Sequence, residues 1–186
     1  MSTVKRRHRL PGDPSKEQMV ERMVRVDHAG EFGAVRIYEG QLAVLGKSSV
    51  APVIRHMLEQ EKEHLGRFDE MVADRRVRPT ALLPLWHLAG FALGAGTALL
   101  GEKAAMACTV AVEEVIDEHY AEQVEALEYE GEETELCETF EKFRAEELEH
   151  RDTGLEHGAE QAPGYEILSG AVKAGSRLAI WLSTRI

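Results

Sequence analysis

Apolar residues recur along this chain at helical spacing, in long stripes separated by short polar breaks. The first stripe, Val20, Val24, Val35, Tyr38 and Leu42, predicts a helix over 16–45 that closes near Gly46. A second helix, from Ser48 or Ser49 to about Asp74, carries Ile54, Leu58, Leu65 and Phe68, with Met57, His64 and Met71 on the adjoining line. The basic segment 74–79 reads as a connector. Residues 81–101 follow without a single formal charge. The next stripe, Met106, Val110, Ile116 and Tyr120, predicts a helix over 102–129 that continues or restarts after Gly101. After a loop at 130–133, Phe140, Phe143 and Gly154 align on a helix reaching about Glu156. Pro163-Gly164 breaks the chain, and 165–186 form a last, moderately apolar helix with Ile167, Leu178 and Trp181. No segment alternates as a strand does. The expectation is therefore all-α: a loose tail over 1–15, ending in a helix cap at Ser15, and a single domain over 16–186.

Four of these stripes are interrupted by a glutamate at a core-facing position: Glu31, Glu61, Glu113 and Glu147. Glu61 and Glu147 are each followed three residues later by a histidine, His64 and His150, which a helix places one turn away on the same face. In a chain this rich in glutamate, about one Glu-x-x-His is expected by chance, so the motif alone decides little. The order decides more. A lone Glu and then Glu-x-x-His, the two glutamates 30 positions apart, is repeated as a lone Glu and Glu-x-x-His 34 positions apart. Four unpaired buried carboxylates would each cost several kcal/mol, so the core needs countercharge. Two metal ions supply it, and carboxylate oxygens with two imidazoles suit iron or manganese. Glu114 and Glu118 fall on another face, and Glu138, Glu141, Glu146 and Glu149 lie largely off the buried line. Gly30 and Gly33 flank Glu31 at a cost of about 1 kcal/mol each in an isolated helix, which points to close packing or ligand access.

Charge and cysteine usage narrow the function. A formal charge of -11 argues against nucleic acid as a partner. Cys108 and Cys137 form no Cys-x-x-Cys, so a disulfide framework and structural zinc are disfavoured; Cys108 reads as a small core residue. The basic N-terminus lacks the apolar core of a secretory signal. The run 81–101 is about a bilayer core in length. A single span would put Glu31, Glu61 and His64 on one side of the membrane and the second motif on the other. A buried crossover helix, or one lying in the membrane surface, keeps the six together.

Several strings resemble the demethoxyubiquinone hydroxylases, di-iron monooxygenases of ubiquinone biosynthesis. They are Val26-Asp27-His28-Ala29-Gly30-Glu31, Arg78-Pro79-Thr80 with the apolar run after it, the stretch 105–114 around Glu113, and Phe143-Arg144-Ala145-Glu146-Glu147-Leu148-Glu149-His150. The resemblance runs from about Glu21 to the end of the chain. It implies a ferritin-like four-helix bundle with additional apolar membrane-associating and C-terminal helices. It carries the ligand role onto Glu31, Glu61, His64, Glu113, Glu147 and His150. His119 and Tyr120 become candidates for ordering substrate or protons near the metals, with Tyr120 equally readable as a core aromatic. Arg177 matches a basic position of the family without an assigned role. The implied reaction inserts one atom of O2 into the ring of a polyprenylated benzoquinol, at two Fe ions per chain, with NADH as reductant. The implied setting is peripheral: the cytoplasmic face of a bacterial inner membrane, or the matrix face of the mitochondrial one. There Gly90, Gly94 and Gly96 would let helices approach closely or keep an entrance plastic. A homo-oligomer, a lipid-presenting partner or other ubiquinone-biosynthesis proteins would also cover the apolar helix. The competing expectation is a ferritin-like protein that handles iron or scavenges peroxide. An alternative-oxidase type of quinol oxidase shares the six-ligand logic, but its strings fit less well.

Overall fold

The computed structural model describes residues 12–131 and 133–186. Six helices account for most of them: α1 Lys16–Leu45, α2 Ala51–Asp74, α3 Leu83–Leu99, α4 Glu102–Glu130, α5 Thr134–Glu156 and α6 Tyr165–Ser183, with a 3-10 turn at Ala159–Gln161 before the last. Of the expected tail, 1–11 lie outside the described residues. Ser15 caps α1 as its position suggested: its hydroxyl accepts from the Gln18 amide at 3.2 Å, and the Gln18 side chain accepts from the Ser15 amide at 2.9 Å. α2 starts later than expected, at Ala51, with Pro52 in its first turn where a missing amide costs nothing. α6 ends at Ser183 rather than running to 186.

α1–α2 and α4–α5 are two helical hairpins that together make the four-helix, ferritin-like bundle, and α3 and α6 lie outside it against α1 and α4. The apolar stripes meet as predicted. One cluster joins Val24, Phe68, Tyr120, Leu136, Phe140 and Phe143. The other joins Tyr38, Ile54, Met57, Met106 and Val110. Each fully buried side chain of this size contributes about 1.5–3 kcal/mol, and the two clusters brace the ends of the polar core between them. Leu42 and Leu65, expected on the buried stripes, are only half-buried.

α3 is a surface helix, not a buried crossover. Only Gly90, Gly94, Thr97 and Ala98 are buried along it, while Leu88 is 68% and Leu99 75% exposed. Gly101, at φ 112°, ends the apolar run in a backbone conformation that a side chain would strain, so α4 restarts instead of extending α3. No helix among the described residues is long and apolar enough to cross a membrane. Gly90 and Gly94 do allow close approach: a methyl at Gly94 would sit 1.9 Å from the Ile37 carbonyl oxygen. Gly96 has open space around it and plays no such part.

Candidate metal centre

All six predicted ligands converge at the middle of the bundle, each at most 4% exposed. Their donor atoms form two groups, Glu31, Glu61, His64 and Glu147, and Glu61, Glu113, Glu147 and His150, with ligating atoms within 4.8 Å of one another in each. Glu61 and Glu147 belong to both groups. Two cations placed there would share Glu61 and Glu147, with Glu31 and His64 on one side and Glu113 and His150 on the other.

The donor set fits a pair of hard cations. Both oxygens of Glu61 and Nδ1 of His64 are buried without a well-aligned hydrogen bond, although His150 Nδ1 lies 3.1 Å from Glu61 Oε1. His64 Nδ1 lies 3.1 Å from Glu147 Oε1 and 3.5 Å from Glu31 Oε2, aimed between them. Orphaned buried acceptors are rare in folded proteins, and a shared cation is what removes the cost. The electrostatics agree. Burial pushes the Glu61 carboxyl well above the usual range, and Glu147 and Glu31 push it further. Glu113 is raised the same way, by burial and then by Glu147 and Glu61. Glu147 goes the other way: burial opposes its charge, but the hydrogen bond from His150 and the nearness of His64 hold it at about 2. Burial disfavours charge on His64 too, yet Glu147 and Glu31 drive its pKa up to about 12. Without metal, protons on the imidazoles stand in for the cations.

Around this core is a set of cross-helix contacts that the sequence reading did not find. His64 Nε2 meets Glu146 Oε2 at 2.8 Å, and His150 Nε2 meets Gln60 Oε1 at 3.1 Å. Each imidazole is thus oriented by the residue just before the bridging glutamate of the other hairpin. Glu146 had been placed off the buried line; it is half-buried and works from the edge of it. The lone glutamates are held reciprocally as well. Tyr38 of α1 donates to Glu113 at 2.8 Å, and Tyr120 of α4 donates to Glu31 at 2.5 Å. Each tyrosine stands seven residues after the lone glutamate of its own helix. Tyr120 is therefore a hydrogen-bond partner of Glu31 and not only a core aromatic. His119 touches no ligand: its Nε2 meets Asp27 Oδ1 at 3.0 Å, and Gln123 donates to the same oxygen at 2.9 Å. Arg177 pairs with Glu118, and Glu114 with Lys173, on the outer face of α4.

Beside the centre, between α1, α3, α4 and α6, is an apolar cavity of about 360 Å³. Gly30, Gly33, Trp86, Val112, Ile116 and Ile180 are among its walls, so it abuts the residues next to Glu31 and Glu113. A methyl at Gly33 would meet nothing within 4 Å, and one at Gly30 only Ile116 at 4.0 Å. Of the two reasons the sequence offered for these glycines, room beside the ligand helix is the one that holds.

Two helical hairpins, each bringing a lone Glu and a Glu-x-x-His to a shared buried centre, define a protein of the ferritin-like carboxylate class. Within that class the match is specific: the family model described as "Ubiquinone biosynthesis protein COQ7" covers residues 18–183, and the chain belongs to that family. The 3-demethoxyubiquinol 3-hydroxylase of Rhodospirillum rubrum is 63% identical over 179 residues, 96% of this chain and 84% of the relative. The human mitochondrial NADPH-dependent 3-demethoxyubiquinone 3-hydroxylase is 59% identical over 169 residues, 90% of this chain and 78% of its own. The mitochondrial 5-demethoxyubiquinone hydroxylase of Saccharomyces cerevisiae is 42% identical over 182 residues, 90% and 78% of the two chains.

Proposed function

We propose that this protein is a 3-demethoxyubiquinol hydroxylase, adding one oxygen atom from O2 to the ring of a polyprenylated benzoquinol at a di-iron centre. The observation that carries this reading is the pair of ligand groups sharing Glu61 and Glu147, set beside an apolar cavity. The second oxygen leaves as water, so the reaction consumes two electrons and two protons. Two irons held by Glu31, Glu61, His64, Glu113, Glu147 and His150 would supply the O2 chemistry and the charge that balances four carboxylates. The chain does the rest. Tyr38 and Tyr120 fix the carboxylate orientations of Glu113 and Glu31, while Gln60 and Glu146 fix the two imidazoles. Asp27 and Gln123 hold His119 beside Tyr120, and Asp27 raises the pKa of His119 against the opposing effect of burial. The cavity excludes water and accepts the substrate from the membrane side.

The surface of α3 and α6 supports a peripheral membrane setting. Leu88, Leu99, Leu100, Ile167, Leu178 and Trp181 are all more than half exposed, an apolar belt that a lipid interface would cover. Among the relatives, the human and yeast proteins are named as mitochondrial. For this chain we assign the cytoplasmic face of a bacterial inner membrane, or the matrix face if it is mitochondrial. A lipid-presenting partner protein or a second copy would bind the same belt. We assign NADH as reductant, and since the human relative is named NADPH-dependent, both nucleotides belong in the assay. The iron-storage or peroxide-scavenging alternative leaves the cavity and the apolar belt without a use.

The test is direct. Iron-loaded protein, a short-tailed demethoxyquinone, reductant and 18O2 should yield a product heavier by one labelled oxygen by mass spectrometry. In cells lacking the gene, quinone extracts should accumulate a ring precursor one oxygen short. A normal ubiquinone profile, or turnover of peroxide with no ring product, would overturn the assignment.

A further inference from the structure

Three arginines converge where α3 begins and α6 ends. Arg25, Arg78 and Arg185 line a pocket of about 280 Å³, together with Pro79, Ala81 and Ile186. Arg25 is anchored, its Nε donating to the Arg78 carbonyl at 2.7 Å, which leaves the far end of its guanidinium free to face the pocket. Arg185 donates to the Trp181 carbonyl at 2.8 Å and lies over the Trp181 ring, 4.3 Å from its centroid. None of the three takes part in an ion pair among the described residues. Residues 1–11, which precede them, contain no acidic side chain that could supply one.

In a chain with a formal charge of -11, the half-buried Arg36 and Arg144 each have a carboxylate beside them, Glu39 and Asp117, whereas the half-buried Arg25 has none and the exposed Arg78 and Arg185 reach solvent unpaired. Like charges held together in a concave site repel unless an anion joins them. The guanidinium fork suits phosphate oxygens in particular. The position says where that phosphate comes from. Leu85, Leu178, Trp181 and Ile186, all at least half exposed, surround the pocket's end of α3 and α6. Trp86 and Ser183, hydrogen-bonded at 2.9 Å, wall the apolar cavity just inside it. Basic groups next to exposed apolar side chains and an interfacial tryptophan are how a protein seats itself at the level of lipid headgroups.

We infer that Arg25, Arg78 and Arg185 form a binding site for the phosphate of an anionic phospholipid, which fixes the enzyme on the bilayer with the cavity facing the lipid. The site rests on the proposed membrane docking and adds a headgroup preference to it. With the headgroup held there, the exposed leucines of α3 and α6 enter the interface and Trp181 sits at its border. An acidic protein that would otherwise be repelled by an anionic surface thereby acquires one attractive point, and so one orientation.

Vesicle co-sedimentation of the metal-loaded full chain tests it. Vesicles of phosphatidylcholine alone measure the apolar docking, and vesicles containing phosphatidylglycerol measure the added headgroup site. Near an anionic surface each arginine contributes roughly fivefold in partitioning, so Arg78→Gln with Arg185→Gln should lower binding to phosphatidylglycerol vesicles about 25-fold. Binding to the neutral vesicles should not change, nor should the melting temperature. Arg67→Gln, on the far face where Arg67 pairs with Glu135, is the charge control and should leave the preference intact. Equal losses on both vesicle types, or no loss beyond the Arg67 control, would overturn the site. So would protection of the wild-type pocket by free inorganic phosphate or ADP that does not compete with vesicles, since the occupant would then be soluble. Failure to bind even neutral vesicles would instead count against the membrane docking itself.

Discussion

The two hairpins of this bundle carry the same ligand pattern and surround it differently. In α1–α2 and in α4–α5 the order is lone Glu, Tyr seven residues on, then a polar residue, Glu and His on the second helix. The surroundings are not copied. Glu147 accepts from His150 and lies 3.1 Å from His64, between both imidazoles, whereas its counterpart Glu61 faces only His150, 3.1 Å from its Oε1 without hydrogen-bond alignment. Tyr120, bonded to Glu31, stands beside a separate group of Asp27, His119 and Gln123, with the His119 side chain 17% exposed. Behind Glu113, Tyr38 is followed only by the sulfur of Met57 at 3.8 Å. One side lies beside a polar group that reaches partly to solvent at His119, and the other is flanked by the apolar core. A repeated motif sets the ligands; the packing of the opposite hairpin sets what each ligand can do.

The largest effects should come from the two bridging carboxylates, and they should differ in kind. Both Glu147→Gln and Glu61→Gln should abolish stoichiometric iron binding, read by metal analysis after loading. In metal-free protein they should part. Glu147→Gln leaves His64 and His150 without their common counter-charge and should cost about 3–5 kcal/mol in denaturant unfolding. Glu61→Gln replaces a carboxyl that burial already pushes toward its neutral form, faced by one imidazole and not two, and should cost less than Glu147→Gln. The sign against pH follows. Glu147, depressed to about 2, adds stability to the metal-free protein at pH values above the unfolded carboxylate range, and this is lost as pH falls toward 2. Glu61 and Glu113, raised, contribute the opposite way: their cost grows as pH rises above that range. If both variants cost the same, the two carboxylates are equivalent and the contrast is lost.

Metal binding should release protons, and by enough to measure. His64 and His150 are raised toward the charged form by Glu147, against burial, and Glu61 and Glu113 are raised by burial. A cation must displace those protons, so affinity should tighten as pH rises through neutrality. Calorimetry in two buffers of different ionisation enthalpy gives the count. A heat independent of buffer would mean the site is already deprotonated without metal.

The tyrosines offer the next contrast. Tyr120→Phe removes the bond to Glu31 beside the Asp27, His119 and Gln123 group and should lower turnover by about 10–100-fold. Tyr38→Phe removes only an orienting bond and should sit at the low end of that range, with a smaller change in the pH profile of turnover. Equal losses with identical pH profiles would mean that both tyrosines merely position carboxylates.

All six candidate ligands were legible in the sequence because each breaks an apolar stripe, and burial of a stripe is a property of one helix at a time. Their partners were not. Gln60, Glu146 and Tyr38 act on ligands of another helix, and which residues meet there depends on how helices are rotated about each other. Tyr38 was read as core and Glu146 as off the line, both correct for their own helix and incomplete for the bundle. The uncharged run 81–101 showed its length and its apolarity, but hydropathy has no information on which side of a helix a neighbour covers. That was decided by Gly90 and Gly94, which bring one narrow face of α3 against α1 and leave the rest outside.

The smallest expected effects compare the helices that cover the two hairpins. α3 lies on α1 through glycines whose added methyl would collide with backbone: at Gly94 with the Ile37 carbonyl, and at Gly40 with the Phe91 carbonyl oxygen at 2.3 Å. Backbone cannot rotate away as a side chain does, so Gly94→Ala should push α3 off α1 and cost about 1–3 kcal/mol. Displacing α3 also widens the cavity that Trp86 and Leu93 help to wall, so the Michaelis constant for a long-tailed quinol should rise with the loss of stability. α6 lies on α4 without such a crossing. Gly170 is exposed and has nothing within 4 Å of an added methyl, so Gly170→Ala should stabilise by about 0.5–1 kcal/mol through helix propensity alone. Thermal unfolding of both variants, with matched metal content, reads the difference. If Gly170→Ala destabilises as Gly94→Ala does, then α6 is held as tightly as α3, and the two covers are as alike as the hairpins' sequences.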